Sequence, residues 1–177
     1  MAGPRIISVV GHKNAGKTTL MVAMAAEFVR RGRRVMTLKH GHHPADADRP
    51  GSDTWRHLHE GKAERVAIMG PEIRVIYERQ PDDYDPLTFI RRHMSDADVV
   101  LIEGFKRAPL PKIEVFRRAV APAPLLRANG ATPGEWIAVL TDDLNLQAPC
   151  RVLHFTDTMW LQFLANLAWD RGLVLDH

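Results

Sequence analysis

The chain has 177 residues, 45% hydrophobic and 25% charged, with a formal net charge of +3. That is enough apolar material for one domain with a buried core, and the small positive excess suits an anionic ligand without demanding nucleic acid. A single cysteine, Cys150, excludes a disulfide framework and a cysteine-based zinc site; beside Pro149 and the apolar Val152-Leu153, it reads as core filler rather than as a nucleophile.

The first element is a short run of β-branched residues, Ile6, Ile7, Val9 and Val10, expected to be a strand buried on both faces. It runs into Gly11-x-x-x-x-Gly16-Lys17-Thr18, the phosphate-binding loop pattern, and then directly into a helical stretch. The glycines allow successive backbone N–H groups to turn inward around a phosphate, Lys17 brings a mobile cation, and Thr18 offers a hydroxyl to Mg²⁺. Gly11, His12, Lys13, Asn14, Ala15, Gly16, Lys17, Thr18 and Thr19 are therefore the candidate nucleotide-binding residues. The competing reading, a glycine-rich turn with a surface lysine, does not account for the strand before and the helix after.

Leu20, Met24 and Phe28 make an apolar stripe on a helix expected over residues 17 to 31. The dense basic run Arg30-Arg31-Gly32-Arg33-Arg34 coincides with its end, so a cationic helix terminus closed by Gly32 explains it better than a polyanion patch. Residues 33 to 39 read as a second strand, parallel to the first through the intervening helix. His40 to Gly51 is irregular; a short helix starts at Ser52 or Asp53 and ends near Gly61. Two β-rich runs, 65 to 69 and 73 to 79, flank Gly70-Pro71 and predict a hairpin. Pro86 to Met94 is helical, with Asp85 as its expected cap.

Val99-Val-Leu-Ile is a second fully apolar strand, ending in Glu103-Gly104-Phe105. The alternation from Lys112 to Arg117 predicts a half-buried strand with Lys112 and Glu114 outward, followed by a loop over 119 to 134. Strands at 136 to 140 and 152 to 155 precede a final helix over 156 to 171, capped by Thr156 or Asp157 and closed by Gly172. Its Trp160, Phe163, Leu164 and Leu167 read as core. No run approaches a membrane span or a signal sequence, so a cytoplasmic location is expected.

Alternating strands and helices predict one α/β domain over residues 1 to 177, of the P-loop NTPase class. Its sheet should be mainly parallel, with helices on both faces and some antiparallel strands. Ligands in such sheets sit beyond the C-terminal strand ends, where Gly11, His40, Glu103 and Asp142 all fall. Glu103 has the place of a metal-binding carboxylate, whereas Asp53 is equally a helix cap or a metal ligand on this reading. His40, His42 and His43 are a candidate metal or anion-contacting cluster without the spacing of a zinc site.

Together, residues 11 to 20, Lys39-His40-x-His42-His43, Gly51-Ser52-Asp53-Thr54-Trp55-Arg56-His57, Glu103-Gly104-Phe105-Lys106 and Pro111-Lys112-Ile113-Glu114-Val115 resemble the MobB family of molybdopterin-guanine dinucleotide biosynthesis adapter proteins. The resemblance runs to about Asp143. It implies a GTP-binding protein with weak GTPase activity that assists a guanylyltransferase in attaching GMP to molybdopterin. It also implies a homodimer, with molybdopterin itself a candidate ligand, and Mg²⁺ held by Thr18, Asp53 and Glu103. A lysine directly after the first loop glycine, typical of the dimeric ATPases in the broader class, is replaced here by His12; an Asn-Lys-x-Asp guanine motif is not present, leaving Thr141-Asp142-Asp143 as the positional candidate for base contacts. The competing function is an ATP-dependent small-molecule kinase or synthetase related to dethiobiotin synthetase. Nucleic-acid and membrane partners are not expected.

Overall fold

A computed structural model describes residues 3–41, 48–79, 85–128 and 134–176. The chain divides into two compact units, Met1–His40 with Pro86–His177, and Gly41–Asp85.

The larger unit is built on a sheet in which β1 (Arg5–Gly11) is central. Its neighbours are β5 (Val99–Glu103) and β6 (Lys112–Phe116), and the order across the sheet is β2-β5-β1-β6-β7-β8, with β2 at Val35–Lys39, β7 at Trp136–Thr141 and β8 at Arg151–His154. All these pairings are parallel. β2 is thus parallel to β1, as the strand-helix-strand sequence requires, but β5 lies between them. The pairing with β6 begins only at Ser8, which leaves the start of β1 open on that side. A short antiparallel β9 (Leu173–Val174), not anticipated from the sequence, pairs there with Arg5 and Ile6.

Because successive strand residues face opposite ways, β1 contributes Ile7 and Val9 to one face and Ile6 to the other. On the first face lie α1 (Lys17–Arg30), with Leu20, Met24 and Phe28 inward as the stripe predicts, and α4 (Trp160–Arg171). Ile90 of α3 (Pro86–His93) packs on the second with Val100 and Ile102, so helices cover both faces. Among the described residues no helix is long and apolar enough to cross a membrane.

The basic run is spent on internal contacts. Gly32 takes the left-handed conformation after α1, at φ 74°. Arg30 and Arg31 both hydrogen-bond Glu27 and hold its carboxyl down to about 2, Arg33 stacks on Trp169, and Arg34 pairs with Asp96. Cys150 packs beside Phe116 and Leu146, and burial pushes its thiol up.

Three local expectations need correction. The final helix starts at Trp160 after Met159 in a left-handed conformation, without a side-chain cap; Asp157 instead accepts the backbone N–H of His154 at 2.7 Å, closing the turn after β8. Phe163 is exposed rather than in the core. The third correction is the largest: β6 is not half-buried but buried throughout, because β1 and β7 flank it and loops cover its second face. Lys112, fully buried, donates to the carbonyls of Ala108 (2.6 Å) and Leu110 (3.0 Å). Glu114, also fully buried, accepts the amides of Leu125 (2.6 Å) and Leu126 (3.2 Å) at a 3-10 turn, Leu125–Arg127. Burial raises the Glu114 pKa against these two bonds.

The smaller unit holds α2 (Asp53–His59) and an antiparallel hairpin of β3 (Arg65–Met69) and β4 (Arg74–Glu78). Ser52 caps α2 by accepting from the Trp55 amide at 3.2 Å, and Asp48 orients the Ser52 and Thr54 hydroxyls.

Burial pushes the Lys112 ammonium down to about 8 from an ordinary 10.5. Between those values the unfolded chain binds more protons than the folded one, so this group adds stability as pH rises through the interval; below it, the buried charge is a fixed cost. The urea midpoint of the wild type should therefore rise, relative to that of Lys112→Met, between about pH 7 and about pH 10. Parallel midpoints for the two proteins would show that Lys112 titrates as it does in water.

Candidate functional site

The strand-loop-helix junction is set by close approach. A Cβ on Gly11 would lie 2.5 Å from the Val115 carbonyl oxygen of β6, so only glycine fits where β1 ends. Asn14 and Gly16 then adopt positive φ, 65° and 101°, which turns the loop back into α1. Gly16 is the N-cap residue without a side-chain cap, and its carbonyl accepts the first helical bond, from Leu20, at 3.0 Å. Backbone N–H groups at such a terminus are suited to an anion.

Lys17 is folded over this loop, donating to the His12 carbonyl at 2.8 Å. Its pKa is lowered, first by burial, with Glu103 opposing and the cations of Lys106 and Lys39 reinforcing. The Thr18 hydroxyl donates to Glu103 Oε2 at 2.9 Å. Glu103 is 9% exposed and pairs with Lys39 across the β2–β5 register, Nζ to Oε1 3.9 Å. The two strand ends thus bring a hydroxyl, a carboxylate and an ammonium together beside the loop.

After Glu103 the chain turns sharply, with positive φ at both Gly104 (102°) and Phe105 (48°). The turn is fixed by Ser8, whose hydroxyl donates to the Gly104 carbonyl at 2.7 Å, and by the Gly104 amide, which donates to Val9. A side chain at 104 would press on His40 Cβ at 3.0 Å. His40 leaves β2 with its amide on the Glu103 carbonyl, 2.9 Å, and its ring against Phe105, centroids 4.5 Å apart. His42 and His43 lie outside the described residues.

On the other side of β1, Arg117 follows β6. Its Nε donates to the Ala15 carbonyl at 3.2 Å, Nη1 is 3.6 Å from Asp142 Oδ2, and the guanidinium carbon sits 4.0 Å from the Phe155 ring centroid. Asp142 also accepts the Arg118 amide at 3.0 Å. Asp143 accepts the amide of Asn145 and pairs with Arg118 at 3.6 Å. Gly11, His40, Glu103 and Asp142 therefore share one edge of the larger unit, as their strand ends predict. Sequence reasoning passed over Arg117, although the same strand-end rule that selected Glu103 applies to it. Asp53 belongs to the smaller unit, where it is the exposed first residue of α2; Ser52 holds the cap.

Residues 6–142 match the family model described as molybdopterin guanine dinucleotide synthesis protein B. The chain belongs to that family. Among curated relatives, the molybdopterin-guanine dinucleotide biosynthesis adapter protein of Haemophilus influenzae is 34% identical over 117 residues, 64% of this chain and 64% of that one. The adapter protein of the same name from Escherichia coli is 31% identical over 122 residues, 66% and 70% of the two chains. The match thus spans just under two thirds of the Haemophilus relative and slightly more of the Escherichia one. The solved structure of Bacillus subtilis MobB superposes with a TM-score of 0.69 at 22% identity, covering 92% of this chain and 97% of that one. A MobB homolog from Bacillus stearothermophilus gives 0.64 at 25%, covering 94% and 99%. The MobB fold is thus shared over nearly the whole length: a mainly parallel α/β sheet of the P-loop NTPase type.

Proposed function

We propose that this MobB family member is a GTP-binding adapter that assists a guanylyltransferase in attaching GMP to molybdopterin, in the cytoplasm, with weak GTPase activity of its own. The observation that carries the reading is the Thr18–Glu103 hydrogen bond: it joins the first turn of α1 to the carboxylate ending β5, directly beside the loop. Hard oxygen donors of this kind fit Mg²⁺, and the uncapped turn at Gly16 fits a phosphate. Bound Mg²⁺ would neutralise the outer phosphates; the loop amides and Lys17 would bind them, and Thr18 with Glu103 would hold the ion. Asp53 keeps its place in the metal set on the family resemblance alone. The adapter role is supported by the names of the relatives, which give the kinase or synthetase alternative no support.

A homodimer is supported by the hairpin of the smaller unit. One face of β3–β4 carries Ile68 and Val75, the other Met69 and Ile76, all exposed. A two-stranded ribbon with apolar residues outward on both faces is marginal by itself and suits a second copy.

Lys17→Ala removes a charged donor and should weaken GTP binding about ten- to a hundredfold by calorimetry; an unchanged dissociation constant would remove the phosphate-loop assignment. Glu103→Gln should lower Mg²⁺-dependent hydrolysis while sparing nucleotide affinity measured without Mg²⁺, and equal losses in both assays would count against a metal-holding role. Sedimentation equilibrium should give a dimer for the wild type and a monomer for Ile76→Asp; a monomeric wild type would refute the dimer.

A further inference from the structure

The sheet order gives the edge a direction. Thr18 and Glu103 lie on the β5 side of β1, whereas Arg117, Asp142 and Phe155 follow β6, β7 and β8 on the opposite side. If the proposed nucleotide lies across this edge with its outer phosphates at Thr18 and Glu103, a nucleoside that continues past the loop lies toward β6–β8. The first side chain it meets there is Arg117, whose Nε is 3.9 Å from where a Cβ on Gly16 would stand.

We propose that Arg117 is the nucleoside-stacking residue of this site, its guanidinium plane held between the Phe155 ring and the purine. The geometry already fixes one half of that arrangement. A guanidinium carbon 4.0 Å from a ring centroid is in cation–π contact with that ring, and the side chain keeps 39% of its surface exposed, so it is not closed in by protein on all sides. Its orientation is set at two further points, the Ala15 carbonyl and the Asp142 carboxylate, which belong to different strand ends. An arginine held in three directions loses little freedom when a base settles on it, and guanidinium planes are common stacking partners for bases. The contact to Ala15 also places the guanidinium directly beside the phosphate loop.

The proposal rests on the nucleotide reading above, and the test separates the two. Calorimetry would compare GDP with inorganic pyrophosphate on the wild type, Arg117→Lys, Arg117→Gln and Phe155→Leu, each checked for an unaltered circular dichroism spectrum. Lysine keeps a charge but has no plane to stack. Stacking predicts that both Arg117 variants lose about tenfold in GDP affinity. Phe155→Leu should lose less, and pyrophosphate binding should stay within about twofold throughout. A parallel loss of GDP and pyrophosphate would make Arg117 only a staple of the loop and overturn the proposal, as would GDP affinity unchanged in all three variants. A wild type that binds neither ligand would remove the nucleotide reading itself, and the proposal with it.

Discussion

Everything at the candidate site depends on β5 standing next to β1. The strand carrying the phosphate loop needs a neighbour whose last residue stops level with the start of α1, and the register Val9 to Glu103 provides it. From there a carboxylate that is 9% exposed can take the Thr18 hydroxyl on one oxygen and face Lys39 on the other. A charge so far withdrawn from water is costly unless it is compensated, so these partners are what make the position tenable. The turn through Gly104 and Phe105 follows from the same constraint, because β5 must end abruptly for Glu103 to face the loop rather than continue the ladder.

The sheet divides the chemistry of this edge. Toward β5 and β2 are oxygen donors and ammonium groups; toward β6, β7 and β8 are a guanidinium, an aromatic ring and a carboxylate. Phosphate chemistry suits the first set and a flat heterocycle the second. A loop at the boundary, with Gly11 held close against Val115 and the Ala15 carbonyl bonded to Arg117, connects the two.

What the sequence revealed was what depends on near neighbours. The glycine-lysine-threonine spacing, the apolar stripe of α1, the Gly32 terminus and the step from Ile102 to Glu103 are each signalled within a few residues, and the strand-end rule then put Gly11, His40, Glu103 and Asp142 on one edge. What escaped depends on how the chain folds over itself, which local spacing does not signal. Lys112 and Glu114 alternate with Ile113 and Val115 as in a half-exposed strand; their burial is possible only because carbonyls at 108 and 110 and amides at 125 and 126 are folded over them. The pairing of β9 with the start of β1 joins residues at opposite ends of the sequence, and nothing local signals it. The late start of α4 has a local cause instead: the Asp157 carboxylate is taken by the His154 amide three residues before it.

Lys112 and Glu114 beneath β6's covering loops set that part of the second face apart from the apolar face under α1 and α4. The α1–α4 face is hydrocarbon, whose exposure to water carries a large positive heat capacity; hydrating a buried charge pulls the other way. Local opening of the segments over Lys112 and Glu114 is thus less temperature-dependent than separation of α1 and α4 from the sheet. On cooling, the hydrophobic grip of the helices weakens first, while the electrostatic fastening of β6 changes little.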